Sequence, residues 1–179
     1  MLACKYCNTR KSNKTTSENK NDYLWPDENN TELAYTYAGG IPRVNSPILL
    51  ELDPSGNIAQ KAEKLFELVE LGNIPAPKDK DRRFKQRIET YASARISLKK
   101  WKKLKETEYK EDSKELIAEI VRSKGFFSVW LEVFKDEPEI KNMLFDIFPG
   151  TETRFFDADG NVRPILHVEE LEAATEAAT

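Results

Sequence analysis

Apolar residues recur at helical spacing through residues 57–150, and this periodicity constrains the fold more than any other feature of the sequence. Asn57 is placed to cap a helix that runs to about Leu71 and stops at Gly72. A longer, basic helix is predicted over about 80–107. Its apolar face is predicted to consist of Phe84, Ile88, Tyr91, Leu98 and Trp101. The segment is therefore expected to form a helical domain.

Shorter helices are expected after the long one, with bounds set by caps, glycine and proline. They run from Asp112 or Ser113 to Gly125, from Phe126 to the residue before Pro138, and from Ile140 to Pro149. This region is rich in aromatic residues, and aromatic side chains at helical spacing pack in cores far more often than they bind ligands. We therefore assign them to packing.

A small β-hairpin is predicted before the helices. Leu33, Tyr35 and Tyr37 alternate with smaller residues as in a strand, and a Gly-Gly pair at 39–40 can turn the chain into a second strand at 41–44. Pro42 would restrict that second strand to a sheet edge because it cannot donate a ladder hydrogen bond. The predicted fold class is thus α+β, predominantly α-helical.

The composition limits the setting of the protein. The 179 residues include 39% hydrophobic and 33% charged residues, which is typical of a soluble, highly charged globular protein. The sequence has no apolar run long enough to span a membrane, and its first residues lack the layout of a signal peptide. We therefore expect a cytoplasmic protein without a membrane partner.

The net charge of −3 hides two basic segments. Residues 1–20 carry five Lys and Arg against one Glu, and residues 78–105 carry twelve against three acidic residues. Such segments are either a footprint for phosphate groups or solvated helix faces. For residues 78–105 alone, the solvated face is the favoured interpretation.

Cys4 and Cys7 form a Cys-x-x-Cys pair, which commonly supplies half of a tetrahedral zinc site. The only histidine, His167, is 160 residues beyond Cys7 and is expected to be an ordinary surface or packing residue. The remaining ligands would come from a second copy of the chain or from a stretch outside this sequence, or else no zinc binds. A redox role is set aside because no strand precedes the pair.

Residues 2–14, LACKYCNTRKSNK, resemble the closing segment of the HNH endonuclease family, which reads roughly Leu-x-x-Cys-x-x-Cys-Asn-x-x-Lys. The resemblance covers about a dozen residues and implies a partial ββα-metal motif. It implies that Cys4 and Cys7 bind a structural zinc and that Asn8 helps to hold a catalytic divalent ion, Mg²⁺ or Mn²⁺. It also implies DNA as the partner, with the phosphodiester backbone facing the cations Lys5, Arg10, Lys11 and Lys14.

The chain departs from the family pattern because it lacks the upstream histidine that acts as general base, and the middle asparagine. Hydrolysis of a phosphodiester in this way needs both a base and a metal. We therefore expect this polypeptide alone to be inactive or nearly so. One hypothesis is that Met1 is an internal residue of a longer protein. It predicts an in-frame upstream sequence with a second Cys-x-x-Cys and an Asp-His or Glu-His pair.

The sequence predicts four segments. They are the partial ββα-metal motif at 1–22, the hairpin and connector at 23–56, the helical domain at 57–150, and a turn with an acidic, mobile tail at 151–179. The favoured function is an HNH-type DNA endonuclease whose basic helix adds phosphate contacts. Those contacts would come from Arg82, Arg83, Lys85, Arg87, Lys99, Lys100, Lys102 and Lys103. The alternative is a non-catalytic helical module that binds nucleic acid or a protein partner, with zinc shared between two chains.

Overall fold

A computed structural model describes residues 5–26 and 28–170, without the side chains of Lys5, Tyr6 and Asn8. Its helices are α1 (Lys5–Lys11), α2 (Thr31–Ala34), α3 (Ser46–Leu52), α4 (Asn57–Leu68), α5 (Arg83–Leu104), α6 (Lys110–Lys124), α7 (Phe127–Val133) and α8 (Pro138–Ile147). Strands β1 (Tyr35–Thr36) and β2 (Arg43–Val44) form a two-stranded antiparallel sheet. The predominantly helical α+β class is confirmed.

The described residues divide into two compact units. Unit 1 comprises residues within 5–36, 42–81 and 162–170, and unit 2 comprises residues 37–41 and 82–161. The tail at 171–179, for which mobility is predicted, lies outside the described residues. Within the described ranges, no helix combines the length and the apolar character that a membrane crossing requires.

The predicted hairpin is confirmed, but its strands are shorter than expected. Tyr35 pairs with Val44 and Thr36 with Arg43. The prediction that Leu33 begins the first strand is wrong, because this residue lies in α2. The backbone N–H of Asn30, just before α2, bonds the carbonyl of Leu166 at 2.8 Å. That distant partner fixes the local backbone and is not visible in the local sequence pattern.

Helix α3 was not predicted. It starts at Ser46 with Pro47 in its first turn, where a missing N–H costs nothing, and it buries Leu49. Helix α4 lies where a helix was predicted, but it ends at Leu68, before the predicted end at about Leu71. The predicted cap by Asn57 is wrong, because Asn57 is the first residue of the helix and Asp53 Oδ2 accepts the N–H of Ile58 at 2.9 Å. Hydrogen bonds from the Ser55 hydroxyl and the Ile58 N–H lower the pKa of Asp53. Within unit 1, α4 contacts α3 and β2.

The segment after residue 162 closes unit 1. Asn30 is 2% exposed, and its side-chain amide donates to the carbonyls of Arg163 and Ile165 at 3.3 and 3.1 Å. Asn29 forms a β-bridge with His167, and its Nδ2 lies 2.8 Å from the Nδ1 of that histidine. His167 is therefore a half-buried packing residue of this closure, as the sequence predicts.

Unit 2 is built from α5–α8 around aromatic side chains. Trp101, Trp130 and Phe134 are each at most 1% exposed, and the rings of Trp130 and Phe134 stack at 6.1 Å. A second aromatic cluster joins α7, α8 and the segment after α8. It consists of Phe127, Phe145, Phe148 and Phe156. The assignment of the aromatic residues to packing is confirmed.

The predicted buried face of α5 is wrong. Of its five predicted members only Trp101 is buried, and Ile88 is 38% exposed. The residues that α5 buries are Arg83, Arg87, Thr90, Ala94, Ser97 and Trp101. Helix α5 contacts both α6 and α7, and small side chains at such contacts let helix axes approach closely.

The short helices agree with their predicted order. Gly125 follows α6 with φ of +69°, and Phe126, also at positive φ, precedes α7. Helix α7 ends at Val133, well before Pro138, and Pro138 itself begins α8. The sequence DADG at 157–160 forms a turn as predicted, with Asp157 Oδ1 accepting the backbone N–H groups of Asp159 and Asn161.

Candidate metal and nucleic-acid site

Helix α1 carries most of the residues that resemble the nuclease motif. It begins at Lys5 and ends at Lys11. Ser12 follows with φ of +45°, and the Lys14 N–H bonds the Lys11 carbonyl at 3.0 Å, so the chain leaves the helix in a turn. A short helix therefore gives way to a loop at this point.

The predicted zinc ligands are only partly within the structure. Cys4 lies outside the described residues, as does the side chain of the predicted metal ligand Asn8. Cys7 is half-buried in α1 and forms no disulfide. No cluster of three or more His, Cys, Asp or Glu side chains that could hold a metal ion occurs in the described part of the chain.

The fit to a zinc ion is therefore incomplete for this chain taken singly. Zinc takes four ligands in a tetrahedron, and Cys4 and Cys7 supply at most two. His167, the only histidine, already lies against Asn29 in the closure of unit 1. We derive no catalytic step through a metal from these residues.

Arg10 is held by carboxylates of unit 1. Its Nη1 lies 3.3 Å from Glu70 Oε2, and its Nη2 lies 3.4 Å from Asp79 Oδ2. Asp79 is itself fixed, because its Oδ1 accepts the N–H of Asp81 at 2.9 Å. The two carboxylates neutralise much of the positive charge that Arg10 could offer to a phosphate group. The same ion pairs fasten α1 to the rest of unit 1.

The other predicted phosphate contacts differ in their surroundings. The Lys11 ammonium lies 5.2 Å from the centre of the Trp25 ring, a cation–π contact that also holds α1 in place. Lys14 is exposed, and its carbonyl accepts a hydrogen bond from the side chain of Asn19. The Lys5 side chain is outside the described residues. Among the predicted cations whose side chains are described, Lys14 is the one open to solvent.

Comparison with known proteins gives no family. No family model, no curated protein and no solved structure matches this chain.

The basic helix α5 presents fewer cations than the sequence suggests. Arg83 is 4% and Arg87 2% exposed, so their predicted role in phosphate contacts is wrong. The remaining predicted cations are exposed, as is Arg95. These exposed predicted cations are Arg82, Lys85, Lys99, Lys100, Lys102 and Lys103. A basic surface is present on α5, but Arg83 and Arg87 are buried and do not contribute to it.

A polar cleft beside His167 was missed by the sequence analysis. It has a volume of about 360 Å³, and its lining includes Tyr23, Glu28, Lys61 and Glu169. Glu28 forms an ion pair with Lys20 at its rim. These residues come from three separate stretches of the chain, around residues 21–29, 61 and 167–169, and no local motif joins them. Only the folded structure brings them together.

Proposed function

We propose that this chain provides the closing segment of an HNH-type, metal-dependent DNA endonuclease, together with an accessory helical region. The observation that carries the proposal is the position of α1. The helix starts at Lys5, directly after Cys4, and holds Cys7 and Asn8 within its first turns. A ββα-metal motif of the resembled family requires a helix at this point, with the Cys pair and the asparagine at its start.

The anchoring of α1 supports this proposal. A helix of seven residues is too short to be stable alone in water. The contacts of Arg10 with Glu70 and Asp79, and of Lys11 with Trp25, hold it on unit 1. A metal motif needs such a fixed platform because its ligands must keep their geometry while the metal binds.

The chemistry assigned to this chain is limited. Asn8 would contribute one ligand to a Mg²⁺ or Mn²⁺ ion, and such an ion stabilises negative charge on phosphorus and on the leaving oxygen. The general base must come from elsewhere, because His167 belongs to the closure of unit 1. We therefore expect no turnover, or nearly none, from this polypeptide by itself.

The test compares this polypeptide with the product of the longest in-frame coding sequence that contains it. Plasmid nicking with Mg²⁺ or Mn²⁺ is expected only from the longer product, and Asn8→Ala is expected to reduce it by about 10²-fold or more. Asn73→Ala, a substitution of an exposed asparagine outside residues 2–14, is the matched control. Nicking by the short polypeptide, or a stop codon directly before Met1, would contradict the proposal.

Zinc content provides an independent measurement. About one zinc per longer chain is expected, with loss of zinc in the double variant Cys4→Ser and Cys7→Ser. One zinc per two short chains, accompanied by dimerisation through these cysteines, would instead support the shared site of the alternative interpretation. No zinc in either product would remove the structural basis of the motif.

The exposed cations of α5 favour a second candidate function, which is non-catalytic binding of nucleic acid. Arg95 and Lys102 are both exposed on this helix, and each phosphate contact adds about 0.9 to the slope of log affinity against log salt on duplex DNA. Arg95→Gln with Lys102→Gln is expected to reduce that slope by about 2. An unchanged slope would exclude this surface as the binding face.

A further inference from the structure

Helices α5 and α6 form an apolar groove in unit 2 that the proposed nuclease chemistry does not use. The groove has a volume of about 510 Å³. Its apolar lining consists of Ile96 and Leu104 from α5, Tyr109 before α6, and Leu116, Ile117 and Ile120 from α6. We call this the α5–α6 groove.

The rim of the α5–α6 groove is unusually apolar for a solvent-facing surface. Ile96 is 60% exposed, Tyr109 55% and Leu116 48%. Single exposed apolar side chains are common on proteins, but several that line one groove indicate a surface that another molecule covers. On α5, Ile96 and Leu104 stand eight residues apart with Lys100 between them, and on α6, Leu116 and Ile120 stand four residues apart. Each helix therefore contributes one stripe along the groove.

Opposite charges border the two stripes. At 100° per residue, Lys99 and Lys103 lie beyond Ile96 on the outer side of α5, whereas Glu115 and Glu119 lie beyond Leu116 on the outer side of α6. All four charged side chains are exposed. In the described part of the chain, none of the four forms an ion pair.

This arrangement is complementary to itself. A two-fold axis parallel to the helices would place α5 of one protomer against α6 of its partner, so that the lysines of one rim meet the glutamates of the other. A two-fold axis perpendicular to the helices would instead place α5 against α5 and lysine against lysine, which is repulsive. The charge pattern therefore selects one geometry.

We propose that the α5–α6 groove binds a second copy of this chain and forms a four-helix dimer interface. Helix α6, with its 15 residues, gives the contact a length of about 22 Å at 1.5 Å per residue. Two helices side by side are about 20 Å wide, so the face is of modest size and below that of large obligate dimers. A dissociation constant of about 1 to 10 µM is expected for such a contact.

The main test is sedimentation velocity on the full chain in the background Cys4→Ser with Cys7→Ser, which removes any zinc-bridged dimer. We compare the variant Lys99→Glu with Lys103→Glu, which makes both rims acidic, with the variant Glu115→Lys with Glu119→Lys, which makes both rims basic. Each alone is expected to dimerise at least about tenfold more weakly than the parent, because like charges then face each other twice. An equimolar mixture is expected to recover a dimer, since each acidic rim then meets a basic one.

Leu116→Glu tests the apolar stripe, with Ile74→Glu as its control. Ile74 is 71% exposed and does not line the groove. Leu116→Glu is expected to weaken dimerisation by at least about tenfold, and Ile74→Glu to leave it unchanged. Far-UV circular dichroism checks that each variant is folded. A parent that stays monomeric to about 200 µM, or a mixture of the two charge variants that does not associate, would overturn the proposal.

Discussion

Trp101 donates its indole N–H to Glu137 Oε2 across 2.8 Å and thereby joins the end of α5 to the residue before α8. Lys105 donates to the same oxygen at 2.8 Å. Trp101 is 1% and Glu137 6% exposed, so the carboxylate is buried with two donors. Burial alone would raise the pKa of Glu137, but the hydrogen bonds from Lys105 and Trp101 outweigh it and lower the pKa below its ordinary value.

Substitution of Glu137 should separate the hydrogen bond from the charge. Glu137→Gln keeps an acceptor for Trp101 and loses the ion pair, so we expect unfolding free energy to fall by about 1 to 2 kcal/mol. Glu137→Ala leaves the buried indole N–H without this partner, and we expect a loss of about 3 kcal/mol. Urea unfolding measures both. Equal losses in the two variants would show that the acceptor contributes nothing.

The lowered pKa of Glu137 also predicts a pH dependence. The pKa of Glu137 is lower in the folded chain than in the unfolded chain, where it is 4.5. The ionised carboxylate therefore stabilises the fold at pH values above 4.5, and this stabilisation disappears as the pH falls through the folded-state pKa. The difference in unfolding free energy between the parent and Glu137→Gln should therefore shrink from pH 6 towards about pH 3. Glu63→Gln, which makes the same substitution at an exposed position of α4, is the matched control.

Gly40 in unit 2 occupies a position where a side chain has no room against the backbone. It has φ of +78°, and a Cβ atom there would lie 2.7 Å from the backbone oxygen of Arg87 in α5. Gly39 also has positive φ, +65°, but nothing lies within 4 Å of its Cβ position. We expect Gly39→Ala to cost about 1 kcal/mol from backbone strain alone, and Gly40→Ala to cost about 3 kcal/mol or more. Urea unfolding of the two variants tests this, and equal losses would contradict the close contact.

Helical periodicity predicted the order of α4–α8 because a recurring apolar stripe reports directly on a buried helix face. It misplaced the buried face of α5, since that helix buries small and polar residues such as Ala94 and Ser97 and leaves the predicted Ile88 exposed. Hydrophobicity alone cannot indicate that two helices pack closely through small side chains.

The candidate site was predictable in part for a similar reason. The Cys pair and the basic run identify α1 from local sequence, but the partners of Arg10 lie 60 and 69 residues away, at Glu70 and Asp79. Long-range ion pairs carry no local signal. Likewise, the strand expected at Leu33 became α2 because Asn30 is tied to the segment after residue 162.

The Arg10 ion pairs predict local rather than global effects. All three side chains are about one-third exposed, at 29 to 35%, so solvent screens the pairs. We expect Arg10→Ala to lower the unfolding free energy by less than about 1 kcal/mol but to speed amide hydrogen exchange in α1 by about tenfold. Lys14→Ala, at an exposed position just past the helix, should leave the α1 exchange rates unchanged. Equal exchange in the two variants would show that Arg10 does not anchor the helix.

Lys141 predicts a stability change at alkaline pH. Its side chain is 2% exposed, and its ammonium donates to Asn161 Oδ1 at 2.6 Å. Burial lowers the pKa of Lys141, and the nearby Asp157, Asp159 and Asp136 only partly oppose this effect. The unfolded chain therefore binds the proton more tightly than the folded chain does. Stability contributed by this group should rise with pH in the range just below the unfolded value of 10.5.

Lys141→Met tests this sign directly, because it keeps the buried aliphatic stem and removes the titrating group. We expect the parent to gain unfolding free energy relative to Lys141→Met between about pH 8 and 10. Comparison with the variant cancels the contributions of other lysines. A hydrogen bond to Glu137 raises the pKa of Lys105, and one to Glu139 raises the pKa of Lys110. The contributions of these two lysines to stability therefore fall as pH rises above their unfolded pKa of 10.5. Lys135→Met, at an exposed position, is the control. A difference between parent and Lys141→Met that stays constant across this range would show that the ammonium titrates alike in the folded and unfolded chains.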